Sequence, residues 1–434
     1  MLLGAFKAFV LYPLSERYER RHIRDKLCLL RADMAEPFST RRKRRLQRLA
    51  EVAGRAEMQV PYYRNLFRSL GFNPGRLAKD DRWLSELPLL TKDIVAEQGW
   101  RMLAEGARDG ILHERKTGGS TGAAIPFFYS ADALDWSAAA HFLAYEWTGK
   151  HRHHSEVHLS SLFPETFPWR DRLKEWCKCM AMNRTNVVTS AFSPDSLEEA
   201  WSAIRRARPA LLQGHPSTLY ALALHLRATG RTGGGAIGRF QSTGEVLDPR
   251  KRQTIEQVIG CPVFDFYGNA EIGVIAQQTA PQAGAGLKVL DSMVWPEISE
   301  NGEIVVTSLR NDAMPLLRYV TGDLATLEER ADGFFMSAIQ GRVHDLITIN
   351  GVSHPTHYLQ DLLDRIGGID EFQVMERAGQ PPLLQLVVPN PDLRAAHAAR
   401  IAGWWGDGVE VAFVDLAGLH RVGRRNKFRY KVTV

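Results

Sequence analysis

The chain contains 434 residues, of which 44% are hydrophobic and 24% are charged, with 36 glycines and 21 prolines spread along it. This length corresponds to about three domains of ordinary size, and the composition excludes a disordered chain, a collagen-like repeat and a fibrous protein. The net charge of +6 is a small excess of positive charge for a chain of this length, so we expect no nucleic-acid partner.

The cysteine content indicates a reducing environment. Of the four cysteines, Cys177 and Cys179 are separated by one residue and have no second pair to complement them. This spacing fits neither a disulfide framework nor a zinc ribbon. We therefore expect a cytoplasmic protein.

The N-terminus is apolar apart from Lys7 and leads into an arginine-rich run that ends at Arg24. The apolar stretch is shorter than the ~20 residues of a membrane span, and no small-residue cleavage site follows it. Residues 1–24 therefore have two interpretations. One is an amphipathic helix in peripheral contact with a membrane, its arginines facing lipid phosphates. The other is a helix that packs its apolar side chains against the rest of the protein, namely Leu2, Phe6, Phe9 and Val10.

Residues 14–72 place leucines and alanines at helical spacing between basic positions, which predicts a helical segment with a break at Pro61. From Leu87 onward, short β-branched or aromatic runs alternate with longer amphipathic stretches, a pattern typical of βα units around sheets. A helix capped by Ser193 is predicted over residues 194–208, with an apolar face formed by Leu197, Ala200, Trp201 and Ile204. A second helix is predicted over 216–228, and strands over 262–267, 302–308, 316–319, 383–388 and 409–414.

The element pattern predicts an α/β protein with two domains. The body spans residues 1–340, with residues 1–72 as its helical N-terminal segment. A small α+β domain spans residues 341–434 and is set off by the Gly341-Arg342 turn.

A glycine-rich segment, Lys116-Thr-Gly-Gly-Ser-Thr-Gly122, carries the first chemical signal. Hydroxyl side chains interleaved with glycines allow backbone N–H groups to close around phosphate oxygens. The segment is not a Walker A loop, because Gly122 is followed by Ala123 and Ala124 rather than by Lys and Ser or Thr. Taken alone, it is equally well read as a flexible turn.

Further motifs follow this segment in a fixed order. They are Ser242-Thr-Gly-Glu245, Tyr267-Gly-Asn-Ala-Glu271, Arg318-Tyr-Val-Thr-Gly-Asp323, Gly341-Arg-Val-His-Asp345 and Asn426-Lys-Phe-Arg429, supported by Val60–Arg64, Leu87–Lys92 and Gly214–Ser217. This series resembles the core motifs of the adenylate-forming superfamily of acyl-CoA synthetases, luciferases and peptide synthetases. The closest resemblance is to its phenylacetate–CoA ligase-like branch, which includes the CapK-type proteins. The resemblance covers nearly the whole chain.

The resemblance implies an ATP-dependent ligase with a large α/β body and a mobile C-terminal domain. A carboxylic acid would attack the α-phosphorus of ATP to give an acyl-adenylate and pyrophosphate. The acyl group would then pass to a thiol, either of CoA or of the phosphopantetheine arm of a carrier protein.

The resemblance also implies roles for individual residues at the nucleotide. Tyr267, beside Gly268, would stack on adenine, and Gly244 and Glu245 would form the opposite wall. Asp323 would accept hydrogen bonds from the ribose hydroxyls. Two further groups complete this set: Arg342 on the ribose or phosphate, and a cradle for the β- and γ-phosphates formed by Thr117, Gly118, Gly119, Ser120, Thr121 and Gly122.

The resemblance implies two catalytic residues, and each of them acts through its own charge. Glu271 would supply a carboxylate to Mg²⁺, which prefers hard oxygen ligands. Lys427 would reach in from the C-terminal domain and bridge the substrate carboxylate and the α-phosphate. For the pocket that holds the acid, Tyr145 and His215 are the candidates.

The sequence departs from the family pattern at three positions. Ala123 replaces a lysine that many members carry after the glycine-rich loop, and Ala270 replaces a Thr or Ser before the glutamate. His344 stands where the hinge residue is usually Asp. Two alternatives therefore stay open: an amide-forming ligase of the same fold, and a non-catalytic accessory protein of polysaccharide assembly.

Overall fold

The computed structural model describes residues 2–116, 125–160, 168–189, 192–340, 346–422 and 427–434. Helices and sheets alternate along these ranges, so the predicted α/β class is confirmed. A π-helical turn (Lys7–Leu11) joins the first two helices. The α-helices are α1 (Leu2–Phe6), α2 (Tyr12–Tyr18), α3 (Ile23–Ala35), α4 (Phe38–Gln59), α5 (Pro61–Leu70), α6 (Lys92–Gln98), α7 (Ala131–Trp147), α8 (Trp169–Met182), α9 (Pro194–Ala207), α10 (Pro216–Ala228), α11 (Pro249–Ile259), α12 (Thr356–Ile366) and α13 (Arg394–Trp405).

The strands are distributed over several sheets. In chain order they are β1 (Leu112–Lys116), β2 (Pro126–Ser130), β3 (Glu156–Ser160), β4 (Arg184–Val188), β5 (Leu211–Gly214), β6 (Phe240–Ser242), β7 (Val263–Phe264), β8 (Phe266–Asn269), β9 (Gly273–Gln277), β10 (Leu287–Val289), β11 (Val294–Ile298), β12 (Glu303–Ser308), β13 (Tyr319–Arg330), β14 (Gly333–Gln340), β15 (Leu346–Ile349), β16 (Val352–Pro355), β17 (Glu371–Glu376), β18 (Leu383–Val387), β19 (Glu410–Phe413), β20 (Arg421–Val422), β21 (Lys427–Phe428) and β22 (Lys431–Thr433).

A parallel sheet in the order β4-β3-β5-β6-β7 forms one half of the body. Parallel strands need long crossover connections, and helices α8 to α11 alternate with these strands along the chain. Helix α9 matches its prediction closely: the Ser193 hydroxyl accepts a hydrogen bond from the Ser196 amide at 3.4 Å. The apolar face that α9 buries was also predicted, and it consists of Leu197, Ala200, Trp201 and Ile204.

An antiparallel sheet in the order β11-β12-β13-β14-β10-β9-β8 forms the other half of the body. Its apolar side chains share one hydrophobic core with α3 to α5 and α7. This sheet carries two of the predicted site motifs, at β8 and at the start of β13.

The predicted strand over 262–267 is wrong as a single element. It is two strands, β7 in the parallel sheet and β8 in the antiparallel sheet. The chain passes between the sheets at Asp265, whose carboxylate accepts hydrogen bonds from the Ser242 hydroxyl and, at 2.9 Å, from the Phe266 amide. The predicted strand over 316–319 likewise begins only at Tyr319. A short apolar run does not specify which sheet its residues join.

Residues 346–434, here called the C-terminal region, have an apolar core of their own that includes Ile347, Leu363 and Phe372. A mixed sheet in the order β19-β18-β17-β22 is combined with α12 and α13. This is the α+β composition that the sequence predicts for this part of the chain.

The helical N-terminal segment is anchored by arginines. Arg41 and Arg45 on α4 are 2% exposed and lie against the carboxylate of Asp291, which is completely buried. Asp33 on α3 also contacts Arg45. These basic residues therefore hold α3 and α4 on the antiparallel sheet instead of facing solvent.

Residues 2–18 lie on the body through small residues. Gly4 and Ala8 are buried, and a Cβ at position 4 would collide with the His153 carbonyl. Phe6, Phe9 and Val10 are instead 48%, 66% and 41% exposed. The interpretation in which these side chains are buried against the protein is therefore wrong, although the Phe9 ring stacks on that of His153 with 6.4 Å between centroids. The side chain of Leu2 lies outside the described part of the structure. Among the described helices, none has both the length and the apolar character needed to cross a bilayer.

Candidate functional site

Several predicted site residues fall outside the described parts of the chain. They include the phosphate cradle (Thr117, Gly118, Gly119, Ser120, Thr121 and Gly122) and Arg342, together with the departures at Ala123 and His344. Their roles stay predictions. The remaining site residues, on five separate segments of the body and on β21, are described.

Tyr267 on β8 and Asp323 on β13 meet side by side, although 56 positions separate them in the chain. The Tyr267 hydroxyl donates to Asp323 Oδ2 at 2.8 Å and lies 3.1 Å from Thr321 Oγ1. Burial, followed by the charge of Asp323, holds the pKa of Tyr267 well above its usual range. The phenol thus remains a donor that orients the carboxylate. Sequence analysis gave Thr321 no role, although it stands inside the quoted Arg318–Asp323 motif.

Glu271 stands at the end of a turn that two tyrosines fix. The Tyr129 hydroxyl lies 2.8 Å and 2.6 Å from the carbonyl oxygens of Ala270 and Glu271. The Tyr319 hydroxyl lies 3.4 Å from Glu271 Oε1. The side chain of Glu271 is half-buried, so its carboxylate is held at a defined place and stays accessible. Tyr319 belongs to a quoted motif, whereas nothing in the sequence around Tyr129 signals this contact.

Gly244, His215 and Lys427 converge at one point of the site. Gly244 has a φ of +78°, in the left-handed region that favours glycine. A Cβ at this position would lie 3.1 Å from His215 Nε2 and 3.4 Å from Lys427 Nζ. Glycine is therefore needed here for its backbone conformation and for the close approach of two side chains. The structure thus brings the predicted lysine from the C-terminal region to the predicted loop of the body.

Glu245 links the body to the strand that carries Lys427. Its Oε1 accepts a hydrogen bond from the Phe428 amide at 2.8 Å, and its Oε2 accepts one from the Ser217 amide at 3.2 Å. Ser217 lies in the first turn of α10, where the helix dipole favours a carboxylate. His215 Nδ1 lies 3.6 Å from the same carboxylate. Sequence analysis placed Glu245 in the adenine wall and missed this bridging contact, which depends on two residues distant in the chain.

Tyr145 lies deeper in the body than the other candidates. Its hydroxyl donates to Gln213 Oε1 at 3.2 Å and lies 3.4 Å from His158 Nε2. Burial lowers the pKa of His158, which keeps its ring neutral at neutral pH. Gln213 precedes His215 by two residues, so Tyr145 is connected to the site through the end of β5.

A buried carboxylate supports His158. Burial opposes ionisation of Glu156, but Lys150 and Arg184 outweigh it and hold the pKa of this carboxyl well below its usual range. Arg184 Nε donates to Glu156 Oε1 at 2.6 Å. The cluster is internally paired, so it acts as a rigid polar support below Tyr145.

No protein-family model matches the chain. Individual relatives do. A phenylacetate–coenzyme A ligase of Pseudomonas putida is 24% identical over 346 residues, which cover 74% of this chain and 75% of that protein. Its counterpart from Escherichia coli K12 is 27% identical over 188 residues, covering 39% of this chain and 43% of the relative, so this match spans less than half of that enzyme. Protein CapK of Staphylococcus aureus is 22% identical over 250 residues, covering 56% of this chain and 54% of CapK.

Solved structures share the fold. A crystal structure of 2-hydroxyisobutyryl-CoA ligase in the postadenylation state, in complex with R3-HIB-AMP, has a TM-score of 0.71 and 19% identity, covering 92% of this chain and 90% of that chain. The predicted fold of the adenylate-forming enzymes is thereby confirmed. The curated relatives are phenylacetate–CoA ligases and CapK, the kinds of protein that the predicted branch contains, so the resemblance in sequence is the predicted one. A structure of the same 2-hydroxyisobutyryl-CoA ligase in the thioesterification state has a TM-score of 0.60 at 20% identity, with 92% and 90% coverage.

Proposed function

We propose that this protein activates a carboxylic acid with ATP as an acyl-adenylate and then transfers the acyl group to the thiol of CoA. The observation that carries this proposal is the meeting of Lys427 with Gly244 and His215, secured by the Phe428–Glu245 hydrogen bond. The C-terminal region places this lysine beside the Gly244-Glu245 loop, which is assigned to the nucleotide. A lysine in that position can neutralise the charge that develops where a phosphate reacts.

In the first step, a carboxylate oxygen of the acid attacks the α-phosphorus and the bond to pyrophosphate breaks. Negative charge then accumulates between the two reactants. Lys427, a compact point charge on a half-buried strand, stabilises that charge, while Asp323 positions the ribose. The segment Thr117–Gly122 is assigned to the phosphates in the same scheme, and Arg342 to the ribose or a phosphate.

Glu271 is the proposed protein ligand of Mg²⁺. Among the described residues, no three His, Cys, Asp or Glu side chains form a metal-binding group, and Glu271 is the one carboxylate that we assign to the ion. This fits Mg²⁺, which commonly takes one or two carboxylates together with phosphate oxygens. When bound, the ion supplies neutralisation of the phosphate charges.

In the second step, the thiol sulfur attacks the acyl carbon, the bond to AMP breaks, and the thiol proton passes to solvent. Lys427 occupies the space in front of the loop during adenylation, so the thiol needs another route or a different position of the C-terminal region. We assign residues 341–434 as a domain that rotates about the Gly341-Arg342 turn between the two steps. CoA is the first acceptor, and a carrier-protein phosphopantetheine is the second. The setting is cytoplasmic, with peripheral membrane contact through residues 1–24.

The test is a panel of carboxylic acids scored by pyrophosphate release with no acceptor, with CoA, with a phosphopantetheinylated carrier and with amines. Acid-dependent release that CoA accelerates, with a thioester as product, is the expected result. Acceleration by amines alone would show that the acceptor is an amine and that the product is an amide. No release with any acid, from protein that still binds ATP, would make the protein an accessory factor.

A further inference from the structure

The apolar face of the N-terminal segment is largely exposed to solvent, apart from the contact of Phe9 with the His153 ring. Leu3, Phe6, Phe9, Val10 and Leu14 are between 41% and 66% exposed. The opposite face of the same segment, with Gly4 and Ala8, is the one that lies on the body. Folding therefore leaves large apolar side chains in water while it buries the smallest residues, which is unfavourable for a segment that serves only to pack.

Helix α8 exposes a second apolar stripe. Trp169, Leu173 and Trp176 are 68%, 50% and 61% exposed. Their spacing of four and three residues places them on one face of the helix. Single exposed apolar residues are ordinary, but two tryptophans and a leucine aligned on one face need a reason.

The two segments that carry these stripes are neighbours. The π-helical turn Lys7–Leu11 and α2 both contact α8. Lys7 Nζ donates to Asn183 Oδ1 at 3.1 Å, and Asn183 is the residue that ends α8. We name the resulting patch the two-helix surface; it consists of Leu3, Phe6, Phe9, Val10, Leu14, Trp169, Leu173 and Trp176.

Positive charge is concentrated in the same two segments. Residues 2–24 contain five Lys or Arg against two Glu, and α8 contains four Lys or Arg against two acidic residues. Together they hold five of the six net positive charges of the chain. Arg17, Arg20, Arg170, Arg172 and Lys174 are exposed beside the apolar side chains.

We propose that the two-helix surface docks this protein onto an anionic lipid bilayer. Tryptophan and phenylalanine favour the boundary between headgroups and acyl chains, and arginine and lysine bind lipid phosphates. The side chains protrude from helices and do not line a groove, a shape that suits insertion between lipids. The charge complements an acidic membrane surface. Both helices lie in the membrane plane in this arrangement.

The surface extends the membrane contact of residues 1–24 by adding α8, and it is independent of the catalytic proposal. Its test uses vesicles of phosphatidylcholine alone or mixed with phosphatidylglycerol, and it needs no substrate. We expect flotation with the anionic vesicles at low salt and release as salt rises, because surface charge is screened. Trp169→Ser/Trp176→Ser should weaken binding at least about tenfold, since each inserted tryptophan removes apolar area from water. Circular dichroism and the unfolding temperature establish that this variant is folded.

Insertion is localised by acyl chains that carry bromine, which quench nearby tryptophans. Trp169→Phe/Trp176→Phe keeps the apolar face and should abolish most of the quenching. Trp100→Phe, a matched control at another exposed tryptophan, should leave it unchanged. Full-length folded protein that ignores anionic vesicles at low salt would overturn the proposal. So would a concentration-dependent dimer that the Trp169→Ser/Trp176→Ser variant abolishes, because the surface would then bind a second copy of the chain.

Discussion

The ammonium group of Lys251 lies 2.6 Å from the carboxylate of Glu371, and each side chain is only 3% exposed. Lys251 belongs to the first turn of α11 in the body, and Glu371 begins β17 in the C-terminal region. The rings of Phe428 and Tyr430 surround the ammonium at 4.6 Å and 4.8 Å. This buried pair therefore holds Phe428, the residue next to Lys427, against the body.

Glu371→Gln should slow acyl-adenylate formation selectively. The amide keeps the shape of the side chain but removes the charge that pairs with Lys251, and breaking a buried pair costs about 3–5 kcal/mol. The docked position of the C-terminal region is then less populated, so we expect at least about a tenfold lower adenylation rate with an unchanged KM for ATP. Thioester formation from a supplied acyl-adenylate should be largely retained. Hydrogen exchange of the Phe428 amide, which is bonded to Glu245, should accelerate.

Arg227→Gln is the matched control. Arg227 pairs with Asp370 at 2.8 Å on the rim of the same contact, but it is 50% exposed, so its loss should change either half-reaction by less than about twofold. If Glu371→Gln slowed both half-reactions equally, the pair would serve stability alone.

Lys427→Ala should suppress adenylation and spare the second half-reaction. Losing one charge that stabilises the reacting centre in a water-poor site is comparable to losing an oxyanion-hole donor, an effect of about 100- to 1000-fold. The measurement is pyrophosphate exchange beside single-turnover thioesterification from acyl-adenylate. Lys431→Ala is the control, because Lys431 pairs at 2.8 Å with Glu376 on β17, within the C-terminal region. Equal and small effects of the two substitutions would assign Lys427 to a solvated basic tail.

Asp323→Ala should weaken ATP and AMP binding alike, because both ligands carry the ribose. Hydrogen bonds to a charged group contribute about 1.5–3 kcal/mol, which corresponds to a loss of about 10- to 100-fold in affinity. Tyr267→Phe should give a smaller loss, since it removes only the hydroxyl that orients Asp323. Calorimetry checks both variants, with Asp332→Ala, whose carboxylate is 62% exposed and pairs with Lys288, as the control. Unchanged AMP affinity in folded Asp323→Ala protein would remove Asp323 from the nucleotide site.

Local patterns predicted α9 with its cap and buried face because both depend on residues within one helix. The site motifs were also readable, since each is a short contiguous run. What escaped prediction depends on distant partners. The sequence gives no sign that Arg41 and Arg45 are buried, because the carboxylate that pairs with them, Asp291, lies some 250 positions away. Tyr129 gives no local sign that it holds the turn before Glu271.

The stability of the protein should fall steeply in mild acid because of His141. Its Nδ1 donates to the Ser137 carbonyl at 2.8 Å, and burial, as the largest cause, lowers the pKa of the ring to about 4. The unfolded chain, with a histidine pKa near 6.5, therefore binds more protons than the folded chain between about pH 6.5 and 4. Unfolding becomes easier as the pH falls through this window, by up to about 1.4 kcal/mol per pH unit and about 3 kcal/mol in total.

His141→Gln should flatten this dependence, because the amide can donate to the Ser137 carbonyl but does not titrate. The measurement is the urea midpoint at about pH 7, 6 and 5 for the wild type and the variant. A residual slope should remain, since burial lowers the pKa of His158 in the same direction. His22→Gln, at a histidine side chain that is 70% exposed, is the control and should leave the wild-type slope intact. Parallel curves for His141→Gln and the wild type would mean that the imidazole binds a proton as readily in the folded chain as in the unfolded chain.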